Sequence, residues 1–196
     1  VFINENSADG AKVFAYVVSD EDAGDLANLT PSLKDNNGTG VDSLFKAAIV
    51  VEGGKTKLAV IVPDGSKLDF EKVKPLHEVT VYVTDPDGLQ DSIVRRIQVI
   101  DVNEAPTVED AVFAVEENSK KGDSVGVVVA SDPDVLNPAF GTLYYSLLDS
   151  TEGAASKFNI DNTGKITVAE NAGLNYEQDS VFYVKVRVTD STLSDT

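Results

Sequence analysis

The stretch VTVYVTDPDGLQDSIVRRIQVID (79–101) decides how this chain is read. Apolar, mostly β-branched residues alternate with polar ones on both sides of Asp85-Pro86-Asp87-Gly88, the period-2 signature of two half-buried strands joined by a turn. DSVGVVVAS (123–131) and FYVKVRVTD (182–190) read the same way, and NNGTG (36–40) and DNTG (161–164) add turn chemistry. No segment sustains helical periodicity with a cap, and GKTKLAVIV (54–62) is too short and too β-branched to form one. Short strands at this spacing predict an all-β, Greek-key sandwich architecture. EDAGDLANLTPSLKDNNGTGVD (21–42) reads as loop with one short helical turn.

The chain repeats itself. VFINENSADG (1–10) matches VFAVEENSKKG (112–122), and VSDED (18–22) matches ASDPD (130–134). An offset of 112 carries Glu5 to Glu117, Asn6 to Asn118, Asp20 to Asp132 and Asp22 to Asp134. Later insertions change the offset but keep the order: LDFE (68–71) answers to LNYE (174–177), and VYVTD (81–85) to VRVTD (186–190). Two copies of one fold are expected, residues 1–102 and 107–196, joined by a linker at 103–106. The second copy ends soon after VTDSTLSDT (188–196), with no counterpart of SIVRRIQVID (92–101), so its last strand is expected to be lacking. The chain also opens directly in strand-like sequence with no signal-peptide pattern, as a piece of something longer would.

Of 196 residues, 42% are apolar and 25% charged, a globular composition. Asp and Glu number 33 against 16 Lys and Arg, a net charge of −17. That field repels a polyanion, and no basic stripe exists to hold one, so nucleic acid is excluded as a partner. No apolar run approaches the ~20 residues that span a bilayer, so no direct membrane contact is expected. With no cysteine there are no disulfides and no thiolate chemistry. Excess carboxylate suits either simple solubility or a hard cation, which takes oxygen ligands.

The repeated words favour the cation, because they place acids at strand ends. Asp69 and Glu71, Asp132 and Asp134, and Asp20 and Asp22 share a two-residue spacing that would put each pair on one side of an extended edge. Like charges held this close cost stability unless a cation lies between them.

The early Glu-Asn, the Asp-x-Asp, LYYSLLD (143–149), FNIDNTGKITV (158–168), LDFE and LNYE, VTD, and the linker DVNEAP (101–106) occur in an order that resembles tandem cadherin repeats over nearly the whole chain. The resemblance implies two Greek-key sandwiches of Ig-like architecture with two or three Ca²⁺ ions at the linker. The ligands it implies are Glu5, Asp69 and Glu71 from the first repeat, Asp101, Glu104 and the carbonyls of Val102 and Asn103 from the linker, and Asp132, Asp134, Asp190 and a carbonyl near Asn137 from the second. Asp20, Asp22 and Asp85 would serve a preceding linker, and Glu117 and Glu177 a following one. The linker departs from the family pattern: Asp101-Val102-Asn103-Glu104-Ala105-Pro106 is one residue shorter, with Glu104 standing for an Asp, so the third ion site loses a ligand. Asn175 replaces the acid of LDFE and weakens the following site.

The resemblance also implies a non-enzymatic, extracellular cell-surface role in a membrane-associated parent protein: calcium-dependent adhesion, or a rigid stalk stiffened by linker ions. Partners would be other such repeats of the same chain, a homophilic copy, another surface protein or a polysaccharide. The acidity, the missing cysteine and DVNEAP resemble the repeats of bacterial surface adhesins. The alternatives are a carbohydrate-binding module and a merely acidic spacer. The lone His77 reads as a surface or edge residue. Tyr144, Tyr145, Phe158, Tyr176 and Phe182 read as core or strand-pair aromatics rather than a sugar platform. NLT (28–30) and NGT (37–39) match the N-glycosylation sequon, which matters only in a eukaryotic secreted protein.

Overall fold

A computed structural model describes residues 1–22, 24–149 and 153–196, apart from the side chain of Asp42. The chain divides into two compact units, Val1–Val102 and Asn103–Thr196. Among the described residues the helical pieces are single 3-10 turns, none long and apolar enough to cross a membrane.

The first unit contains β1 (Phe2–Asn4), β2 (Lys12–Val17), β3 (Thr30–Asp35), β4 (Lys46–Glu52), β5 (Lys55–Ile61), β6 (Leu76–Thr84) and β7 (Gln90–Ile100). One sheet has the order β1-β7-β6-β3 and the other β2-β5-β4. Among the described residues only β1 runs parallel to its neighbour, Phe2 to Asn4 lying along Gln98 to Ile100. The alternation of 79–99 sets the inward face. Val79 and Val81 of β6 and Ile97 and Val99 of β7 are fully buried, and they share one cluster with Leu58, Val60, Phe14, Phe45 and Leu68. Each such side chain contributes about 1.5–3 kcal/mol on leaving water.

The stretch 21–42 is not loop throughout. Thr30–Asp35 pairs with β6 from Thr30↔Thr84 to Asp35↔Val79, and Asp25–Ala27 and Val41–Ser43 form 3-10 turns; Ala23 lies outside the described residues. Pro31 disguises the strand, but an edge strand tolerates proline because one row of its N–H groups has no ladder to join. Asp35 ends it by accepting hydrogen bonds from the N–H groups of Asn37, Gly40 and Val41.

His77 is also misread from sequence. It is fully buried on β6, its Nδ1 2.7 Å from Thr39 Oγ1 and its ring edge-on to Phe45. A single polar residue in an alternating strand carries no mark of which loop covers it.

The second unit contains β8 (Thr107–Val108), β9 (Ser124–Val127), β10 (Ala130–Ser131), β11 (Tyr144–Asp149), β12 (Phe158–Ile160), β13 (Lys165–Val168), β14 (Val184–Thr189) and β15 (Ser194–Asp195). Its ladders are β12-β13-β9, β11-β14-β15 and β10-β8. The run 123–131 is thus two strands in different sheets. The last strand is not wholly lacking: Val188↔Asp195 and Thr189↔Ser194 reproduce Val83↔Asp91 and Thr84↔Gln90. At the offset of 112 the counterpart of β1 is residues 114–116, which join no sheet. Val168, Ala172 and Leu174 form a small core with Val115, Val125, Phe158 and Phe182, the last two edge to face at 6.0 Å. Tyr144 takes the expected strand-pair position, opposite Thr189 on β14, though half exposed, whereas Tyr176 lies in a turn and is two-thirds exposed.

Two outcomes are expected. A Cβ on Gly65 would meet the Ser7 carbonyl oxygen at 2.0 Å, a backbone atom that cannot step aside. Gly65→Ala should therefore destabilise the first unit by about 1–3 kcal/mol in a denaturant titration. For His77, burial holds the imidazole below its ordinary 6.5, against the opposing pull of the Lys74 carbonyl and the Asp35 carboxylate. The unfolded chain then binds the proton more readily, so stability should fall as pH drops below about 6.5. His77→Gln should flatten that slope in melts taken between pH 7.5 and 5.5.

Candidate metal centre

The recurring Glu-Asn word is a turn. Asn6 and Asn118 adopt left-handed backbone, φ 54° and 60°, which asparagine tolerates better than most side chains. In each copy the asparagine N–H donates to the carbonyl of the matching leucine, Leu68 at 2.8 Å and Leu174 at 3.0 Å. The first turn drives Glu5 inward until it is only 2% exposed. Its Oε2 accepts from Phe70 N–H at 2.6 Å and its Oε1 from Val102 N–H at 2.7 Å. Carboxylate oxygens of Glu5, Glu71 and Asp101 all lie within 4.8 Å of one another. Asp69 stands apart from this trio: it accepts from Lys72 N–H at 3.1 Å and pairs with the Lys72 ammonium. Residues 70–72 form a turn, so the two-residue spacing does not align Asp69 with Glu71 as an extended edge would.

In the second unit the Asp-x-Asp word is likewise a turn, with Asp134 N–H donating to Asp132 Oδ1 at 2.8 Å. Asp134 Oδ2 accepts from Glu104 N–H at 2.8 Å. Asp190 closes its own loop, its Oδ1 accepting from Thr192 and Leu193 N–H, while its Oδ2 accepts from the Asn103 side-chain amide at 2.9 Å. Asn103 Nδ2 also reaches Thr192 Oγ1 at 3.2 Å. The side chain of Asn103 is thus part of the network, which the sequence reading, concerned with its carbonyl, did not anticipate. Asn137 accepts Gly141 N–H at 2.8 Å and Phe140 N–H at 3.1 Å on its carbonyl. Gly141 went unnoticed in sequence, yet a Cβ there would fall 2.3 Å from the Asp134 carbonyl oxygen.

The electrostatics are strained in an informative way. Asp132, Asp134 and Asp190 are 8%, 1% and 5% exposed. Burial, and then the charges of Asp190 and Glu104, push the Asp132 carboxyl above its ordinary range despite the Asp134 N–H. Burial acts on Asp190 too, but the N–H groups of Leu193 and Thr192 and the Asn103 amide together hold it below the usual value. Asp132 Oδ2 and Asn103 Oδ1 are buried without a hydrogen-bond partner. Among the described residues no Lys or Arg forms an ion pair with Glu5, Asp132 or Asp190. Buried polar atoms normally find partners, so these oxygens point to a missing positive charge. An all-oxygen donor set, with neither thiolate nor imidazole, fits Ca²⁺, which takes six to eight such ligands.

A second acidic group lies elsewhere in the first unit. Asp22 N–H donates to Asp20 Oδ1 at 2.9 Å, as Asp134 does to Asp132, and Asp85 Oδ1 accepts from Leu89 N–H as Asp190 does from Leu193. Oxygens of Asp20, Asp22 and Asp25 lie within 4.8 Å of one another. Partial burial, then Asp20, Asp22, Asp87 and Asp85, raise the Asp25 carboxyl. Asp25 was missed because its 3-10 turn, not its spacing, brings it in. Glu117 repeats one contact of Glu5, accepting from Tyr176 N–H at 3.2 Å, but is exposed. Glu177 is exposed as well, its N–H donating to Asn175 Oδ1.

Residues 111–196 match the Cadherin domain family. Human cadherin-22 is 32% identical over 146 residues, covering 69% of this chain and 17% of that protein. Human protocadherin-1 is 30% identical over 195 residues, 96% of this chain and 17% of that one. The chain therefore spans about a sixth of the length of these relatives. Among solved structures, human protocadherin-24 EC1-2 superposes with a TM-score of 0.66 at 25% identity, covering 100% of this chain and 89% of that one. Drosophila N-cadherin EC1-4 shares the fold, with a TM-score of 0.65 at 22% identity over 99% of this chain and 44% of its own. These relatives are animal proteins, so the expectations of a bacterial adhesin and of a polysaccharide partner find no support in them. Repeats of this kind are extracellular and stand at the cell surface. The match over residues 111–196 and the likeness of the whole chain to tandem cadherin ectodomains support a tandem of cadherin-like repeats.

Proposed function

We propose that this chain is a calcium-dependent adhesion module in which Ca²⁺ at the linker converts a self-repelling joint into a stiff one. The observation that carries the reading is the set of buried carboxylates, Glu5, Asp132, Asp134 and Asp190, in a chain whose net charge is −17. Each unit presents acids that include a linker residue: Asp101 with Glu5 and Glu71, and Glu104 with Asp132, Asp134 and Asp190. Asp101 and Glu104 are three residues apart, and an extended chain covers at most about 3.3–3.6 Å per residue. Covalent continuity thus keeps Asp101 and Glu104 themselves within about 11 Å of one another.

A bound Ca²⁺ would supply positive charge to these buried carboxylate oxygens. The chain does the rest. Asn6 and its turn aim Glu5, and the Asp-x-Asp turn fixes Asp132 beside Asp134. The Asn103 amide orients Asp190. Val102 and Asn103 would offer backbone carbonyls, and Glu104 would stand in for the aspartate of longer linkers. The shortened linker provides for two ions fully and a third with fewer ligands. Stiffness would let a longer protein hold its adhesive surface away from the membrane, with partners drawn from other cadherin-like repeats, in the same chain or in a facing copy. Nothing in the donor set resembles a nucleophile and its base, so binding rather than catalysis is the role.

Small-angle scattering with calcium should show a longer, straighter particle than with chelator; identical profiles would sink the stiffening mechanism. Calorimetric titration should give affinities of roughly 10⁻⁴–10⁻³ M, the range of extracellular modules, and Asp101→Ala or Asp134→Ala should remove most of the heat. Asp132→Asn separates stability from binding. The amide keeps the Oδ1 contact to Asp134 N–H but removes the raised, repelled charge. In chelator the variant should melt a few degrees above the parent, and in millimolar calcium that order should reverse.

A further inference from the structure

We propose that Asn37 is an N-glycan acceptor, and that Asn28, the other sequon asparagine, is not. The proposal rests on the extracellular placement of the repeats and is independent of calcium. Glycan transfer acts on a chain not yet folded, so an acceptor must meet two conditions: its sequon must bend into the transferase, and the folded product must leave room for the sugar. Asn37-Gly38-Thr39-Gly40 meets the first, with glycine on both sides of the hydroxyl residue. Asn28-Leu29-Thr30 does not, because Pro31 follows immediately and confines Thr30 to extended backbone.

The folded structure meets the second condition at the same place. Asn37 is exposed, and its side-chain amide makes no hydrogen bond among the described residues; only its N–H is engaged, by Asp35 Oδ1 at 3.0 Å. A Cβ at Gly38 or Gly40 would meet nothing within 4 Å, so the surrounding space is open. The loop is nevertheless anchored, because Thr39 Oγ1 turns inward to His77 Nδ1 at 2.7 Å and leaves Asn37 on the outside. Asn28 is exposed as well, its N–H donating to the Asp25 carbonyl beside the Asp20, Asp22 and Asp25 cluster, so the discrimination between the two rests on the first condition, where Pro31 counts against Asn28.

In the transfer, the Asn37 Nδ2 attacks the anomeric carbon of a lipid-pyrophosphate-linked oligosaccharide. The new C–N bond forms as the C–O bond to the pyrophosphate breaks. The amide proton passes to a base of the transferase and the lipid pyrophosphate leaves. A glycan there stands just beyond β3, the edge strand of its sheet, where bulk guards the open row of backbone groups against pairing with another chain.

The test directs the 196-residue chain through the secretory pathway of a eukaryotic cell line. Intact mass is compared before and after enzymatic release of N-glycans, and peptide mapping locates the asparagines that release converts to aspartate. Asn37 should be converted in the majority of molecules. Asn37→Gln should abolish the mass increment while melting as the enzymatically deglycosylated parent does, and Asn28→Gln should leave the increment in place. Thr39→Ala should lose it and Thr39→Ser retain it. A folded, secreted chain with Asn37 unmodified, or with the glycan on Asn28 alone, overturns the proposal.

Discussion

The carboxylate of Glu5 is the contact on which the first unit's site depends. One side chain accepts from the N–H of Phe70 and the N–H of Val102. It thereby fastens the end of β1, the turn after Leu68 and the chain as it leaves β7. Charge-assisted bonds of this kind contribute roughly 1.5–3 kcal/mol each, while an ion taken from water costs several kcal/mol. The two N–H groups hold Glu5 in place without neutralising it. Glu71 and Asp101 bring their carboxylate oxygens within 4.8 Å of it. The copy in the second unit shows the dependence from the other side: Glu117 has one N–H partner rather than two and remains exposed.

The β-sandwich could be read from the sequence because burial on one face of a strand leaves a period of two, as at 79–83 and 93–99. What failed to show were features decided by neighbours in space. Thr30–Asp35 is a strand because β6 offers it an open edge, and Pro31 with its turn-rich surroundings says the opposite. Val128 and Val129 look like the middle of a strand, yet the chain changes sheets there. His77 is buried because Thr39 folds over it from a loop 38 residues away.

The site divides along similar lines. That acids would gather was legible, because the same acidic words recur in both copies. Which acids meet was not. Asp69 and Glu71 share the spacing of Asp132 and Asp134, but a turn gives Asp69 to Lys72 and leaves Glu71 with Glu5 and Asp101. Asn103 was legible only as a linker residue, since its amide finds Asp190 across 87 residues of sequence. Asp25 enters its cluster through a 3-10 turn that no alternation pattern announces.

In the second unit a change of pH acts on two neighbouring carboxylates in opposite directions. Its hydrophobic cluster is small, and its linker residues are tied down by carboxylates: Asp134 holds Glu104, Asp190 holds Asn103, and Asp195 holds Val108. Asp190 is held below its ordinary 3.8, so its ionised form stabilises the fold above that value, and this is lost as pH falls through the lowered pKa. Asp132 is raised above 3.8, so its ionised form costs stability once pH exceeds that value, and acid relieves it. Acidification therefore mends one carboxylate while undoing another. A divalent ion held among the same oxygens, as proposed, would lower the energy of Asp132 without protonating Asp190, and so would leave the amide and N–H contacts intact.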